Sequence, residues 1–208
     1  MIGGMRDQKR KIGRRMRLGA GFTLMEMLVV MGIFSVVVTA ASDIFMLSNR
    51  VERKVFASEK MQSDARYTLE AMVREVRSDS IDYGYYAAHE GLRLPEDRLA
   101  LIGANGDRII FSQGTDCYDA ASSPCLVVSV NGGATAPMTP KNVKLRQLLF
   151  YISPNVDPMA MNPVDGTYAS GVQPRVTIVM VLEGALTRVG ESNITYTQAT
   201  AVSRQYGR

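Results

Sequence analysis

The stretch Gly21-Phe22-Thr23-Leu24-Met25-Glu26-Met27-Leu28-Val29-Val30 decides how this chain folds. An apolar run follows it, and no charged residue occurs between Met27 and Ser42. A helix of roughly 20 apolar residues is long enough to cross the hydrocarbon core of a bilayer, which is about 30 Å thick. Residues 22–47 carry only Glu26 and Asp43 as charges, so they predict a membrane-spanning helix.

Glu26 is the unusual residue in this helix. A carboxylate inside a membrane helix costs on the order of 3 kcal/mol, so it either has a partner or marks a function. Cleavage between Gly21 and Phe22 would create a cationic partner, the new α-amino group of Phe22. That amine could pair with Glu26 of its own chain or with Glu26 of a neighbouring helix packed out of register. The second arrangement would join neighbouring chains into a polymer.

The pattern Gly21-Phe22-Thr23-Leu24-x-Glu26-x-Leu28-Val29-Val30 resembles the class III signal sequence of type IV pilins and type II secretion pseudopilins. These proteins are substrates of prepilin peptidase. The resemblance implies removal of the leader after Gly21, N-methylation of Phe22 and assembly into a helical filament from the inner membrane. The implied partners are the peptidase, other pilin subunits through the N-terminal helix, and the filament assembly machinery. Glu26 would carry the charge that pairs with the amino group of Phe22 during assembly.

The charge distribution predicts the orientation of the chain in the membrane. The formal net charge is +4, but residues 1–21 alone carry +6 and leave −2 for the remainder. Basic residues ahead of a membrane helix keep that end in the cytoplasm. An ordinary secretory signal has a shorter apolar core that precedes its cleavage site, whereas here Gly21 precedes a longer run. We expect a single-pass inner-membrane protein with its head outside the cytoplasm, which later joins a filament.

The apolar periodicity continues beyond the membrane segment. Apolar residues recur at spacings of three and four, which predicts one helix to about Ser78: Ile44, Leu47, Val51, Val55, Ala65, Leu69, Met72, Val73 and Val76. The chain is thus expected to comprise a leader (1–21), a transmembrane assembly helix (22–47), an amphipathic helix that continues into the head (48–80) and a β-rich globular head (81–208).

Five segments of the head have the composition of β-strands, namely 108–112, 126–130, 143–152, 175–182 and 193–199. Strands that follow a long helix predict an α+β fold, with an antiparallel β-sheet packed on the carboxyl half of the helix. The helix segment 64–77 and the terminal segment 197–204 resemble those of minor pilins and pseudopilins of the W or J type. Many major pilins have a helix-breaking residue in the membrane helix and a carboxyl-terminal disulfide loop. Here Gly32 is the only glycine or proline in the apolar run, and the two cysteines lie in the middle of the chain. Both features favour a minor component.

Cys117 and Cys125 flank a turn-rich segment. In an exported domain this arrangement predicts a small disulfide loop, with two unpaired thiols as the alternative. Two cysteines and a distant His89 are too few for a metal site, so no metal or cofactor is expected. Asp157 and Asp165 lie in a proline-rich loop that could bind calcium, but they lack the spacing of a calcium loop, and a solvated loop is favoured.

No catalytic residues are expected, because the sequence contains no GxSxG, no HExxH, no phosphate-binding loop and only one histidine. The cluster Tyr83–Tyr86, with Arg77, Arg93 and Arg98 nearby, could form a single-strand nucleic-acid patch. Packing at the junction of helix and sheet is favoured instead, and no nucleic-acid partner is expected. The alternative to a structural subunit is a membrane-anchored extracytoplasmic module that binds DNA, a surface or an exported substrate.

Overall fold

The computed structural model describes residues 21–115, 117–118, 124–169, 171–185 and 192–204. The predicted α+β class is confirmed: the described chain contains a long helix, a short helix and antiparallel strands. The chain divides into two compact units, of which the first ends at Asn49 and the second begins at Arg50.

The elements follow one another along the chain. The helices are α1 (Leu24–Ser78) and α2 (Tyr83–Ala88). The strands are β1 (Ser80–Ile81), β2 (Arg98–Ile102), β3 (Arg108–Gly114), β4 (Cys125–Val130), β5 (Ala136–Pro137), β6 (Val143–Ser153), β7 (Arg175–Ala185) and β8 (Ser192–Val202).

In the first unit, α1 is apolar on every side. Its large apolar side chains from Leu24 to Leu47 are all exposed. The hydroxyl groups of Ser35, Thr39 and Ser42 each donate a hydrogen bond of 2.8 Å to the carbonyl oxygen four residues earlier. These polar side chains are therefore satisfied within the helix itself. Among the described residues, α1 is the helix that is long and apolar enough to cross a membrane.

The strands of the second unit form two sheets rather than the one expected. The first has the order β1-β2-β3-β4-β5 and the second β6-β7-β8, and all pairs are antiparallel. All five predicted strands are present, but β1, β2, β5 and α2 were not predicted. β2 lacks the alternation that marks a half-exposed strand, because Leu99, Ala100 and Leu101 are all buried. β1 and β5 have only two residues each, too few to show any period.

The core of the second unit lies between α1 and the sheets. Met61, Ala65, Leu69, Met72 and Val76 are buried along one face of α1. They share a cluster with the inward-facing side chains of both sheets, among them Leu101, Phe111, Phe150, Ile178 and Met180. Each fully buried apolar side chain contributes about 1.5–3 kcal/mol relative to exposure. The buried stripe of α1 therefore holds the carboxyl-terminal part of the helix against the two sheets of the head.

The buried part of that stripe is shorter than the periodicity predicted. Val51 and Val55 follow the same spacing, but they are 54% and 50% exposed. Burial starts at Met61, whose sulfur lies against Gly184 of β7. At the other end of the stripe, the amide of Arg204 donates to the carbonyl of Arg77 over 3.2 Å. The head thus covers α1 from Met61 to its end.

We expect Gly184 to be required for the close approach of α1. A Cβ atom at this position would lie 2.6 Å from the sulfur of Met61, which is buried. Overpacking of this kind costs about 1–3 kcal/mol, so Gly184→Val should lower the free energy of unfolding by that amount. Chemical denaturation of the detergent-solubilised chain measures it.

A matched control is Gly171→Val, because a Cβ at Gly171 meets nothing within 4 Å. That change should alter the free energy of unfolding by no more than about 0.5 kcal/mol. Combining Gly184→Val with Met61→Ala should cost clearly less than the sum of the two single changes. Strictly additive costs would show that the two residues do not meet.

Candidate functional site

Thr23 begins the long helix. Its hydroxyl oxygen accepts a hydrogen bond of 3.2 Å from the amide of Glu26, and its carbonyl accepts one of 3.2 Å from the amide of Met27. Thr23 is therefore the N-cap of α1. The order Thr23-x-x-Glu26 matches the sequence signature of a capping box, of which the structure shows the bond from the Glu26 amide to the Thr23 hydroxyl. Sequence analysis overlooked this role, although the signature was visible.

The N-cap leaves Gly21 and Phe22 outside the helix. Both residues are exposed, and Phe22 is 76% exposed. A protease can therefore reach the peptide bond between them without unwinding α1. A Cβ atom at Gly21 would meet nothing within 4 Å, so packing within the chain does not require glycine at this position. Residues 1–20 of the expected leader lie outside the described residues.

Glu26 stands in the first turn of α1 with its side chain exposed. In the described part of the chain, its carboxylate has no hydrogen-bond or ion-pair partner. The positive end of the helix dipole stabilises a carboxylate in the first turn by about 0.3–1 kcal/mol. Placing the same carboxylate in a membrane helix costs on the order of 3 kcal/mol. The dipole does not offset that cost, so Glu26 in an apolar environment needs a cation.

The two cysteines form a disulfide at the loop end of the hairpin formed by β3 and β4. Their Cα atoms are 6.2 Å apart, and Cys125 is the buried first residue of β4. It pairs with Gly114, the last residue of β3. A Cβ atom at Gly114 would lie 2.7 Å from a methyl group of Val127 and 3.4 Å from the sulfur of Cys117. Glycine at position 114 therefore makes room chiefly for the side chain of Val127, beside the disulfide.

The tyrosines of the Tyr83–Tyr86 cluster are packed into the head. Tyr85 and Tyr86 are only 9% and 3% exposed. The hydroxyl group of Tyr86 donates to the carbonyl of Arg98 over 3.2 Å and accepts from the amide of Ala100 over 2.9 Å. Burial raises the pKa of Tyr86, so its hydroxyl stays protonated and keeps its bond to Arg98. These rings join α2 to β2 and are not presented for stacking on bases.

Two arginines near the Tyr83–Tyr86 cluster have acidic partners. Arg93 forms an ion pair with Glu90, and the Nε atom of Arg108 lies 2.5 Å from a carboxylate oxygen of the buried Asp82. The guanidinium of Arg108 also sits 5.9 Å from the centre of the Tyr85 ring. The charges of Arg93 and Arg108 are thus compensated within the head, which weakens the local attraction for phosphate groups.

The two loop aspartates occupy separate turns. Asp157 accepts a hydrogen bond of 2.9 Å from the amide of Met159. Asp165 accepts from the amide and the hydroxyl of Thr167 over 3.0 and 2.7 Å, and these bonds lower the pKa of Asp165. Within the described residues, no group of three or more histidine, cysteine, aspartate or glutamate side chains is placed to hold a metal ion.

Comparison with known proteins finds the family of the amino-terminal region. The model of the prokaryotic N-terminal methylation motif matches residues 16–42. This range contains the expected cut site, the N-cap Thr23, Glu26 and the uncharged run. Searches of curated proteins and of solved structures returned no match. The methylation motif, followed by an apolar helix whose carboxyl-terminal part packs on antiparallel sheets, makes the chain similar to type IV pilins and pseudopilins.

Proposed function

We propose that this chain is a prepilin that becomes a minor structural subunit of a type IV pilus or a type II secretion pseudopilus. Prepilin peptidase cuts the bond between Gly21 and Phe22 and methylates the new amino group of Phe22. The mature chain waits in the inner membrane, with α1 spanning the bilayer and the head outside the cytoplasm. The assembly machinery then moves it into a filament, where α1 contacts the helices of other subunits.

The observation that carries this proposal is the exposed apolar surface at the start of the second unit. Val51, Val55 and Phe56 are 54%, 50% and 71% exposed. Charged residues stand between and before them, at positions 50 and 52–54, and charges of this density do not enter a bilayer core. Neither the head nor a membrane covers these side chains. The helices of neighbouring subunits would therefore pack against them in the filament.

Glu26 supplies the second argument. The exposed carboxylate needs a cation once α1 lies among apolar helices, and cleavage after Gly21 creates one at Phe22. In a polymer of parallel helices, the Phe22 amine of one subunit reaches Glu26 of the next when the two helices are displaced along the filament axis. This pairing neutralises both charges and selects one displacement. Glu26 thereby sets the axial register of the subunit.

The head fits an exported structural role. The disulfide between Cys117 and Cys125 is of the kind that persists outside the cytoplasm. The alternative of a membrane-anchored DNA-binding module depended on the cluster Tyr83–Tyr86. Its inner rings are buried and two arginines beside it have acidic partners, so we prefer the structural subunit.

The mature chain should begin at Phe22. Because the Gly21–Phe22 bond lies outside the capped helix, the peptidase has access to it without any unfolding. Mass spectrometry of the chain purified from membranes or sheared filaments should show an amino-terminal Phe22 that carries one methyl group. In cells without prepilin peptidase, the same chain should keep its Met1 terminus. A chain in filaments that still begins at Met1 would refute the proposal.

Loss of the Glu26 carboxylate should block assembly and spare processing. Both Glu26→Gln and Glu26→Ala leave the Gly21–Phe22 bond and the Thr23 cap in place, so the leader should still be removed. Both remove the charge that pairs with the neighbour's amine, so the amount of chain in sheared filaments should fall about tenfold or more, which corresponds to about 1.4 kcal/mol. Quantitative immunoblots of membrane and filament fractions measure this ratio.

A matched control is Asp43→Asn, which neutralises the other carboxylate of the apolar run. Asp43 lies more than four turns along α1 from Phe22, so this change should leave processing unaltered and incorporation near the level of the unmodified chain. Equal incorporation of the Glu26→Gln variant and the unmodified chain would show that Glu26 has no part in assembly.

A further inference from the structure

Helix α1 ends beside two acidic side chains, Glu75 and Asp79, which we call the acidic pair. The amide of Asp79 donates a hydrogen bond of 2.8 Å to the carbonyl oxygen of Glu75. The helical spacing therefore continues to Asp79, although α1 itself ends at Ser78. Residues four apart on a helix are neighbours on the same face. The two carboxyl groups thus stand next to each other at the carboxyl-terminal end of α1.

The head encloses the Asp79 side chain. Asp79 is only 6% exposed, and its Oδ2 atom is out of reach of water and has no hydrogen-bond partner. Glu75 is half-buried. Within the part of the chain that the structure describes, neither carboxylate forms an ion pair. A carboxylate oxygen that is buried without a partner is strongly destabilising, so the acidic pair needs compensation.

The end of the helix makes two negative charges unfavourable. The unpaired carbonyl groups at the carboxyl terminus of a helix carry a partial negative charge, which repels carboxylates. Burial raises the pKa of Glu75, and the charge of Asp79 raises it further, whereas the charge of Arg74 lowers it. A hydrogen bond from protonated Glu75 to Asp79 also raises this pKa. The net result is a raised pKa, which favours the protonated form of Glu75.

The other charged groups near the acidic pair are engaged elsewhere or face water. Arg77 and Arg204 are exposed. The carboxylate of Asp107, at the start of β3, accepts a hydrogen bond of 2.6 Å from an asparagine side chain. β1 and the end of β8 contribute the hydroxyl groups of Ser80 and Ser203, which donate to backbone carbonyl oxygens. In the described chain, these neighbouring elements therefore supply no cation to the acidic pair.

We propose that Glu75 and Asp79 share one proton in the folded head, and that this proton keeps the end of α1 joined to the end of β8. Two carboxyl groups in contact do not both ionise readily, so one of them retains a proton. The Glu75 hydroxyl then donates to the Asp79 carboxylate. This bond gives a partner to a buried oxygen and leaves the acidic pair with one negative charge instead of two.

The backbone at Asp79 carries the contact with β8. The carbonyl oxygen of Asp79 accepts a hydrogen bond of 2.7 Å from the buried hydroxyl of Ser203. Two residues earlier, the carbonyl oxygen of Arg77 accepts one of 3.2 Å from the amide of Arg204. Loss of the shared proton would place two charges side by side and push Asp79 away from Glu75. Movement of Asp79 would weaken its bond to Ser203 and loosen the end of β8.

The shared proton makes the stability of the head depend on pH. In the folded chain the pKa of Glu75 lies above its ordinary value of 4.5, so the folded chain binds this proton more tightly than the unfolded chain does. The resulting stabilisation is fully present below that ordinary value and is lost as the pH rises through the raised pKa. A rising pH should therefore loosen the junction of α1 and β8.

The titration of Glu75 tests for the shared proton. The NMR resonances of the glutamate carboxyl carbons are followed against pH in the detergent-solubilised full chain, and Glu75→Gln assigns the Glu75 resonance by its disappearance. Glu75 should release its proton at a higher pH than Glu59, an exposed glutamate of the same helix. In Asp79→Asn, the midpoint of Glu75 should move down towards that of Glu59, because the neighbouring charge is gone.

The unfolding equilibrium gives a second readout. Glu75→Gln replaces the protonated carboxyl group by a neutral amide, which can donate to Asp79 at any pH. At neutral pH the folding equilibrium constant of this variant should exceed that of the unmodified chain. The expected factor is about tenfold for each pH unit between the Glu75 and Glu59 midpoints. The matched control Glu59→Gln should follow the unmodified chain at every pH.

Hydrogen exchange shows whether the proton controls the contact with β8. The protection factors of the Ser203 and Arg204 amides should fall in the unmodified chain as the pH rises through the Glu75 midpoint. They should stay constant in Glu75→Gln, in which no proton is lost. The control Glu59→Gln should again behave as the unmodified chain does.

Either of two results would overturn the proposal. Equal midpoints for Glu75 and Glu59 would show that no proton is shared. Constant protection of Ser203 and Arg204 across a raised Glu75 midpoint would show that the proton does not hold β8. If Asp79→Asn does not fold, the comparison of Glu75→Gln with the unmodified chain still decides both points. These measurements require neither leader removal nor entry into filaments, so their outcome is separate from that of the proposed function.

Discussion

The assembly that we propose for this chain depends on the charge of Glu26. Glu26 stands at the start of α1, ahead of the uncharged run that ends at Ser42, and the described chain offers its carboxylate no partner. The helix dipole supplies less than half of the stabilisation that an apolar environment demands. In the proposed function, cutting the chain after Gly21 creates the missing cation. Processing, methylation and assembly would then be linked through the electrostatics of one residue.

Helix α1 has two kinds of apolar surface. From Met61 onward its stripe is covered by the chain's own sheets, and Met72 and Val76 are fully buried. Val51, Val55 and Phe56 are exposed beside charged residues. The buried stripe stabilises the head, and the exposed part is the surface that we propose other subunits cover. In this proposal, one helix forms part of the core of the head and also contacts other subunits.

The two edges of the three-stranded sheet in the head also differ from each other. The β6 edge carries lysine, arginine and a bulge, and these features discourage pairing with another strand. The β8 edge has none of them, although it is 11 residues long. Unsatisfied backbone groups in a straight row are costly only when they are buried without partners.

Much of the fold was predictable from local sequence patterns. The apolar run and the stripe around Leu69 marked α1, and a composition typical of β-strands marked the five longer strands. The periodicity did not show where the head begins to cover the helix, because Val51 and Met61 have the same kind of side chain. It also missed β2, since a strand buried on both faces has no alternation. Glu26 was recognisable from its position alone, whereas the β8 edge became visible only when the order of the strands was known.

The central claim is that Glu26 sets the axial register by pairing with the Phe22 amine of a neighbouring subunit. Cryo-electron microscopy of filaments that contain this chain tests it most directly. We predict a carboxylate oxygen of Glu26 within about 4 Å of the amino nitrogen of the adjacent subunit's first residue, the usual limit for an ion pair. A map in which Glu26 pairs with Phe22 of its own chain, or faces water, would contradict the account.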